Sequence, residues 1–370
     1  MKKKKLLFII WSFTHGGGAE KILSSIVNNL DENRYDIDII EYWHSNIKRE
    51  KVNKNINILP PIIDSTKDSH IKMIIYKILL ELFPSILRKK YIKKEYDVEI
   101  SFNYLIPTFL LSKKKKTIAW IHGDVYDLKT NRKNYILQKR SLKNVNRIVA
   151  ISNNTYNSIK DVYPCYADKT IIINNGFNID SMLENSLLDE IPKETEKIIL
   201  FINRFDDNKN PLFAIDVAKE LVNKGYNFKM QFLGKGNLED RMKEKIKNLN
   251  LEKYVEILGY KTNPYPYIKN CYMVIGCSKS EGFPTIFIES LAFGKPFVST
   301  NVGGVKEISN NERCGLIASN LNEFVSNVEL LLKDKEKYDK FSNYATKHVR
   351  KFTIKNQIEK IEKLINEMER

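Results

Sequence analysis

Short, continuous apolar runs alternate with stretches of helical periodicity along nearly the whole chain. In the first half the runs are Leu6–Trp11, Tyr35–Tyr42, Asp97–Phe102, Thr117–Ile121, Arg147–Ile151 and Thr170–Asn174. In the second half they are Lys197–Asn203, Phe228–Leu233, Tyr254–Leu258, Tyr272–Cys277 and Phe297–Thr300. Many are unbroken Ile, Val, Leu and Phe, which predicts parallel strands covered on both faces. Helical patterns lie between them, among them Gly18–Leu30, Pro211–Lys224, Leu238–Asn248 and Pro284–Phe293. Strand–helix alternation of this kind predicts an α/β protein with doubly wound parallel sheets.

A length of 370 residues argues for two domains. The polar stretch Ser186–Glu196, with Pro192, precedes a fresh apolar run, so we expect one domain over 1–188 and a second from 189. The tail from Lys335 reads as charged helix with no further strand. Two α/β lobes of similar size create a cleft, and such sheets bind ligands at the carboxyl ends of their strands.

The composition is that of a folded globular chain: 42% hydrophobic and 29% charged residues. The four cysteines form no CxxC pair, which speaks against a zinc ribbon, a redox motif or a disulfide framework. The net charge of +16 points to an anionic partner. Lys far outnumbers Arg, and a chain rich in Lys, Asn and Ile reflects AT-rich codons, so a phosphate ligand or an anionic membrane is favoured over nucleic acid. No apolar run reaches the ~18 residues of a membrane span. The start, with Lys2–Lys5 before LLFIIWSF, resembles an export signal but runs into HGGGAEK and is read as a buried first strand.

The sharpest segment is Ser278–Pro296. It follows a predicted strand, with Glu281 and Gly282 in the turn, Pro284 suited to the first helical position and Glu289 about two turns further on. A strand, a glycine turn and a helix start form an anion site, with the N–H groups of Phe283, Thr285 and Ile286 open to phosphate. Arg204 and Lys209, after the first strand of the second domain, can neutralise a diphosphate. Gly16, Gly17 and Gly18 allow close backbone approach, but Lys21 breaks a dinucleotide fingerprint. Asp36 and Asp38 spell D-x-D within a predicted strand and are expected on a solvated or edge face, not at a metal. The stretch Ile71–Lys94, which Pro84 should break, reads either as an interfacial helix on an anionic leaflet or as a core helix with a basic outer face.

EGFPTIFIES, with Glu281 and Glu289 in an E-x7-E arrangement, resembles the retaining nucleotide-sugar glycosyltransferases of family 4, of the bacterial surface-glycan type. GGGAEKIL, INRFDDNKNP, GKGNLEDRMK, NNGFNID and FGKPFVSTNVGGVKEI carry the resemblance over nearly the whole chain, although Asn203 stands where the family usually has glycine. The resemblance implies the GT-B fold: two facing Rossmann-like domains, an acceptor-side one over 1–188, a donor-binding one over 189–347, and a helix over 348–370 crossing back to the first. It implies retaining, metal-independent transfer of a hexose-type sugar from a nucleoside diphosphate, UDP by expectation, to a hydroxyl of a lipid-linked or growing surface glycan. Arg204, Lys209, Glu281 and His122 are the implied catalytic residues. Gly16, Gly17, Gly18, Gly234, Phe283, Pro284, Thr285 and Glu289 are the implied donor-binding residues, the three consecutive glycines expected across the cleft from the diphosphate and near the acceptor. No cofactor or metal is implied. With no export signal or membrane span, the expected place is cytoplasmic and peripheral on the inner face of the plasma membrane. A sugar-nucleotide epimerase of the same fold is the alternative, and a nucleic-acid-binding protein a more distant one.

Overall fold

A computed structural model of the chain describes residues 3–15, 17–47, 50–103, 105–189, 191 and 195–368. Its strands, in chain order, are β1 (Lys4–Ile10), β2 (Tyr35–Glu41), β3 (Trp43–His44), β4 (Ile56–Ile58), β5 (Ile63–Asp64), β6 (Val98–Ser101), β7 (Lys116–Ile121), β8 (Arg147–Ala150) and β9 (Thr170–Ile172). They continue as β10 (Ile198–Ile202), β11 (Lys229–Leu233), β12 (Val255–Gly259), β13 (Met273–Gly276), β14 (Phe297–Thr300) and β15 (Gly315–Ala318). All eleven expected runs are strands, to within a residue or two at each end.

The chain forms two compact units, Met1–Phe177 with Ile354–Arg370, and Asn178–Thr353. The first holds a seven-stranded sheet in the order β4-β2-β1-β6-β7-β8-β9. The second holds a six-stranded sheet in the order β12-β11-β10-β13-β14-β15. Every strand pair in both is parallel. In each sheet the earliest strand is central, the chain winds outward to one edge, then returns and winds to the other. That order leaves a topological switch point beside the earliest strand, where loops at the carboxyl ends diverge and leave room for a ligand.

Burial explains the unbroken apolar runs. Leu6 to Ile10 in β1 and Ile199 to Phe201 in β10 are fully enclosed between helices on both faces. Each such side chain contributes about 1.5–3 kcal/mol over an exposed one. The strands that the apolar pattern does not announce, β3, β4, β5 and β15, have two to four residues each. In β15 a glycine interrupts the run because the Phe297 ring fills the space of a side chain: a Cβ on Gly315 would lie 2.5 Å from it.

Both domain boundaries fall elsewhere than the sequence indicates. The helix Ile179–Asn185 packs on the helices Tyr265–Asn270 and Thr285–Ala292, and Asn263 Nδ2 donates to the Asn185 carbonyl at 2.8 Å and to Asp189 Oδ2 at 2.8 Å. The first unit therefore ends at Phe177, not at 188. At the other end, Val349 and Phe352 are buried in the second unit, and the Phe352 ring lies 5.8 Å from that of Phe283. Only the helix from Ile354 belongs to the first unit, where Arg34 pairs with Glu362 at 2.8 Å and Gly176 N–H donates to Gln357 Oε1 at 2.9 Å.

Of the D-x-D pair, Asp36 keeps a partly solvated side chain, whereas Asp38 is not on a solvated or edge face. Strand β2 lies between β1 and β4, and Asp38 is buried, its carboxylate accepting from the Tyr96 hydroxyl and from Lys94 Nζ. Asp36 also accepts from Lys94 Nζ, at 2.9 Å. Among the described residues no group of three His, Cys, Asp or Glu is placed to hold a metal ion, and no helix is long and apolar enough to cross a membrane.

Candidate active site

The switch point of the second sheet lies between β10 and β13, and the loops leaving those two strands carry Arg204, Lys209 and Glu281. The loop after β10 is shaped by Asp206: its Oδ1 accepts the Lys209 N–H at 2.9 Å, and its Oδ2 pairs with the Arg204 guanidinium at 3.2 Å. Asn210 closes the loop in the left-handed region, φ 52°, directly before Pro211 opens the next helix. Asn203 does not occupy that region, so a side chain is tolerated where glycine is usual.

This loop is fastened to the one after β13. The Asn208 carbonyl accepts the Lys279 N–H at 2.7 Å, and Asn208 Nδ2 donates to the Ser280 carbonyl at 3.1 Å. Glu281 Oε1 accepts from Ser278 Oγ at 2.7 Å and pairs with Lys209 Nζ. Ser278 is held in turn by Thr300 Oγ1, which donates to its carbonyl at 2.6 Å. The loop after β14 closes over the same turn. Gly304 N–H donates to the Gly282 carbonyl at 3.1 Å, and a Cβ on Gly303, φ 46°, would come within 2.3 Å of the Glu281 carbonyl oxygen.

The helix that follows runs Thr285–Ala292, with Pro284 as its N-cap and not its first residue. Glu289, four residues after Thr285, is about one turn into the helix and not two. Among the described residues no acceptor takes the N–H groups of Phe283, Thr285 or Ile286. They share the positive end of the helix dipole with two nearby cations. Glu289 faces Tyr265, whose hydroxyl is pushed up to about 12 by burial first and by the Glu289 charge second. Gly234, φ 151°, follows β11, and the space of its missing side chain is filled by the Asn203 carbonyl oxygen, 1.8 Å from where a Cβ would stand.

The first unit holds the remaining candidates. His122 follows β7; its ring donates to the Phe102 carbonyl, while its Nε2 is buried with no partner. Burial pushes its pKa down to about 4, so the imidazole is neutral near pH 7. Gly17 caps the helix Gly18–Asn29, and no atom lies within 4 Å of a Cβ on Gly18. Gly16 lies outside the described residues. The turn leading to these glycines is anchored by the buried carboxylate of Glu41, which accepts from the Phe13 N–H at 2.7 Å and pairs with His44 Nδ1 at 2.6 Å.

Thus the loops after β10 and β13, which carry Arg204, Lys209, Glu281, Phe283 and Pro284, are fastened together at one switch point, with Thr285 and Glu289 on the helix that follows. Sequence reasoning missed Asp206, Ser278, Thr300 and Gly303, which hold that site together. The Asp206-x-x-Lys209 spacing of a side-chain-capped turn and the paired glycines after β14 are the signals that could have found them.

Two family models match the chain: glycosyltransferase family 4 over residues 16–181 and glycosyl transferases group 1 over residues 186–348. A Campylobacter jejuni N-acetylgalactosamine-N,N'-diacetylbacillosaminyl-diphospho-undecaprenol 4-alpha-N-acetylgalactosaminyltransferase is 30% identical over 187 residues, 50% of this chain and 50% of that protein. The match thus spans half the length of that relative. Among solved structures, Anabaena Alr3699/HepE in complex with UDP superposes with a TM-score of 0.75 at 16% identity, covering 98% of this chain and 100% of that one. A glycosyltransferase from Rickettsia africae gives 0.76 at 18% identity, covering 100% and 99%. These likenesses show the GT-B fold.

Proposed function

The chain belongs to the family 4 glycosyltransferases of GT-B fold, and from that premise we propose that it moves a hexose-type sugar, with retention and without a metal, from UDP to a hydroxyl of a lipid-linked or growing surface glycan at the cytoplasmic face of the membrane. The observation that carries the reading is the convergence at the β10–β13 switch point of two cations with open N–H groups at a helix start. That arrangement suits a diphosphate that gains charge as it leaves. The Anabaena structure holds UDP, and the name of the Campylobacter relative places its acceptor on diphospho-undecaprenol. Both support the choice of donor and acceptor.

In this mechanism the bond from the anomeric carbon to the β-phosphate oxygen breaks while the acceptor oxygen bonds to the same face. The acceptor proton passes to the departing phosphate. Arg204 and Lys209 stabilise that phosphate, with the N–H groups of Thr285 and Ile286 taking the other oxygens. Glu281 keeps Lys209 in place and accepts from a sugar hydroxyl. Glu289 accepts from the ribose hydroxyls. His122, whose neutral ring leaves Nε2 unpartnered, keeps an acceptor at that atom for a hydroxyl.

Incubation of the protein with labelled UDP-hexoses and an undecaprenyl-diphosphate-linked acceptor tests the reading. We expect an acceptor-dependent product of retained anomeric configuration, formed equally well in EDTA. Loss of activity in EDTA with recovery on adding manganese or magnesium would overturn metal independence. Conversion of the donor to an epimer without acceptor would overturn transfer itself.

A further inference from the structure

The helix His70–Leu82 turns an apolar face to solvent. Ile71 is 70% exposed, Ile78 52% and Leu82 56%, with Ile74 and Ile75 similarly open between them. At about 100° per residue these five positions lie within one arc of about 100°, a continuous stripe. The stripe is continued by Phe83 and by Ile86 on the next helix, Pro84–Tyr91, both more than half exposed. The opposite face of the pair is already used, because Tyr76, Leu80 and Leu87 are buried in the core of the first unit. A stripe of large aliphatic side chains on this scale marks a surface that something covers.

Charge identifies the cover. Lys77 flanks the stripe on one side and Lys72, which pairs with Asp68, on the other, and the exposed Lys89, Lys90 and Lys93 extend the positive charge beyond it. Glu81 is the only acid on the two helices, and it is neutralised by Lys133 at 2.7 Å. A second copy of this chain, meeting the stripe across a two-fold axis, would bring the same lysines alongside each other. An anionic bilayer takes both features: isoleucines enter the acyl boundary while lysines remain among the headgroups. The helix has 13 residues, about 20 Å, too short for a ~30 Å hydrocarbon core and suited to lying in the interface.

We propose that the face of His70–Leu82 bearing Ile71, Ile74, Ile75, Ile78 and Leu82 inserts into the anionic lipid surface that carries the acceptor. This rests on the membrane-borne acceptor proposed above and adds to it the surface and the mode of docking. Within the stretch Ile71–Lys94 it also separates the lysines and arginine by role, because Arg88 and Lys94 are engaged inside the unit: Arg88 with both oxygens of the buried Glu99 at 2.6 and 2.8 Å, and Lys94 with Asp36 and Asp38.

The test is flotation of the full chain with phosphatidylcholine vesicles, with and without phosphatidylglycerol. It compares wild type, the double variant Ile75→Asp/Ile78→Asp and the double variant Lys77→Gln/Lys89→Gln. We expect binding that requires phosphatidylglycerol, falls about tenfold or more in the isoleucine variant and falls less in the lysine variant. Because all four positions are exposed, the variants should melt as wild type does, and their hydrolysis of UDP-sugar in the absence of lipid should be unchanged. Wild-type recovery in the soluble fraction with both vesicle types, or equal binding by wild type and the isoleucine variant, would overturn the proposal. So would a concentration-dependent dimer that the isoleucine variant dissolves. UDP-sugar turnover without vesicle binding would leave the proposed transfer intact while removing this docking surface; vesicle binding without turnover would do the reverse.

Discussion

Arg204→Ala should lower kcat/KM for transfer about a hundredfold, close to 3 kcal/mol of transition-state stabilisation, while the protein melts as wild type does. The guanidinium is 76% exposed, and its partner, the part-buried Asp206, lies 3.2 Å away. Such a surface pair adds little to stability, so its loss leaves the fold intact. What remains to be lost is the contact to the departing phosphate, and the drop should appear mainly in kcat. Arg204→Lys should recover only part of the rate, because an ammonium keeps the charge without the planar fork that grips two oxygens. Lys209→Ala should be as severe for turnover and harder to interpret, since it also leaves the partly buried Glu281 without its cation. Steady-state kinetics with a soluble acceptor analogue provide the check, and near wild-type turnover by Arg204→Ala would remove that residue from the site.

The second large effect is on stability. Gly234→Ala should destabilise the second unit by about 3 kcal/mol or more, lowering Tm by roughly 10 °C. The residue has φ 151°, and a Cβ would stand 1.8 Å from the Asn203 carbonyl oxygen. The obstacle is backbone, which cannot swing aside, and it belongs to the loop that leads into Arg204 and Lys209. The comparison is Gly18→Ala, at a position with nothing within 4 Å of a Cβ, where Tm should stay within a degree or two. Thermal denaturation of the two variants side by side separates a glycine required by the fold from one that leaves space beside it. Equal melting of wild type and Gly234→Ala would contradict the close approach of those two loops.

The elements that the apolar pattern announces are those buried on both faces, such as β1 and β10, because enclosure between helices demands an unbroken run. Strands β4 and β15 escape it because three or four residues, one of them Asn57 or Gly315, carry too little periodicity to stand out. The site divides in the same way. Arg204, Lys209, Glu281 and Glu289 stand out in the sequence through the motifs that carry the family resemblance, INRFDDNKNP and EGFPTIFIES. Ser278 and Gly303 act through backbone contacts between loops about 22 residues apart, a proximity that exists only once β13 and β14 lie side by side, whereas Asp206 shapes its own loop through Lys209 and Arg204. The domain boundary is misplaced for a related reason. The helix Ile179–Asn185 looks local to the strand before it, but its partners are the helices Tyr265–Asn270 and Thr285–Ala292. For the helix His70–Leu82, periodicity displays an apolar stripe without saying which side of the helix meets the core; the burial of Tyr76 and Leu80 decides it.

The central claim is that the β10–β13 switch point binds the nucleoside diphosphate of a sugar donor. Calorimetric titration of UDP into wild type and into Glu289→Ala tests it most directly, with no need to know the sugar or the acceptor. The account predicts one UDP per chain, and binding weakened about tenfold or more when the carboxylate that would accept the ribose hydroxyls is removed. No heat with UDP, or the same affinity in wild type and variant, would contradict it.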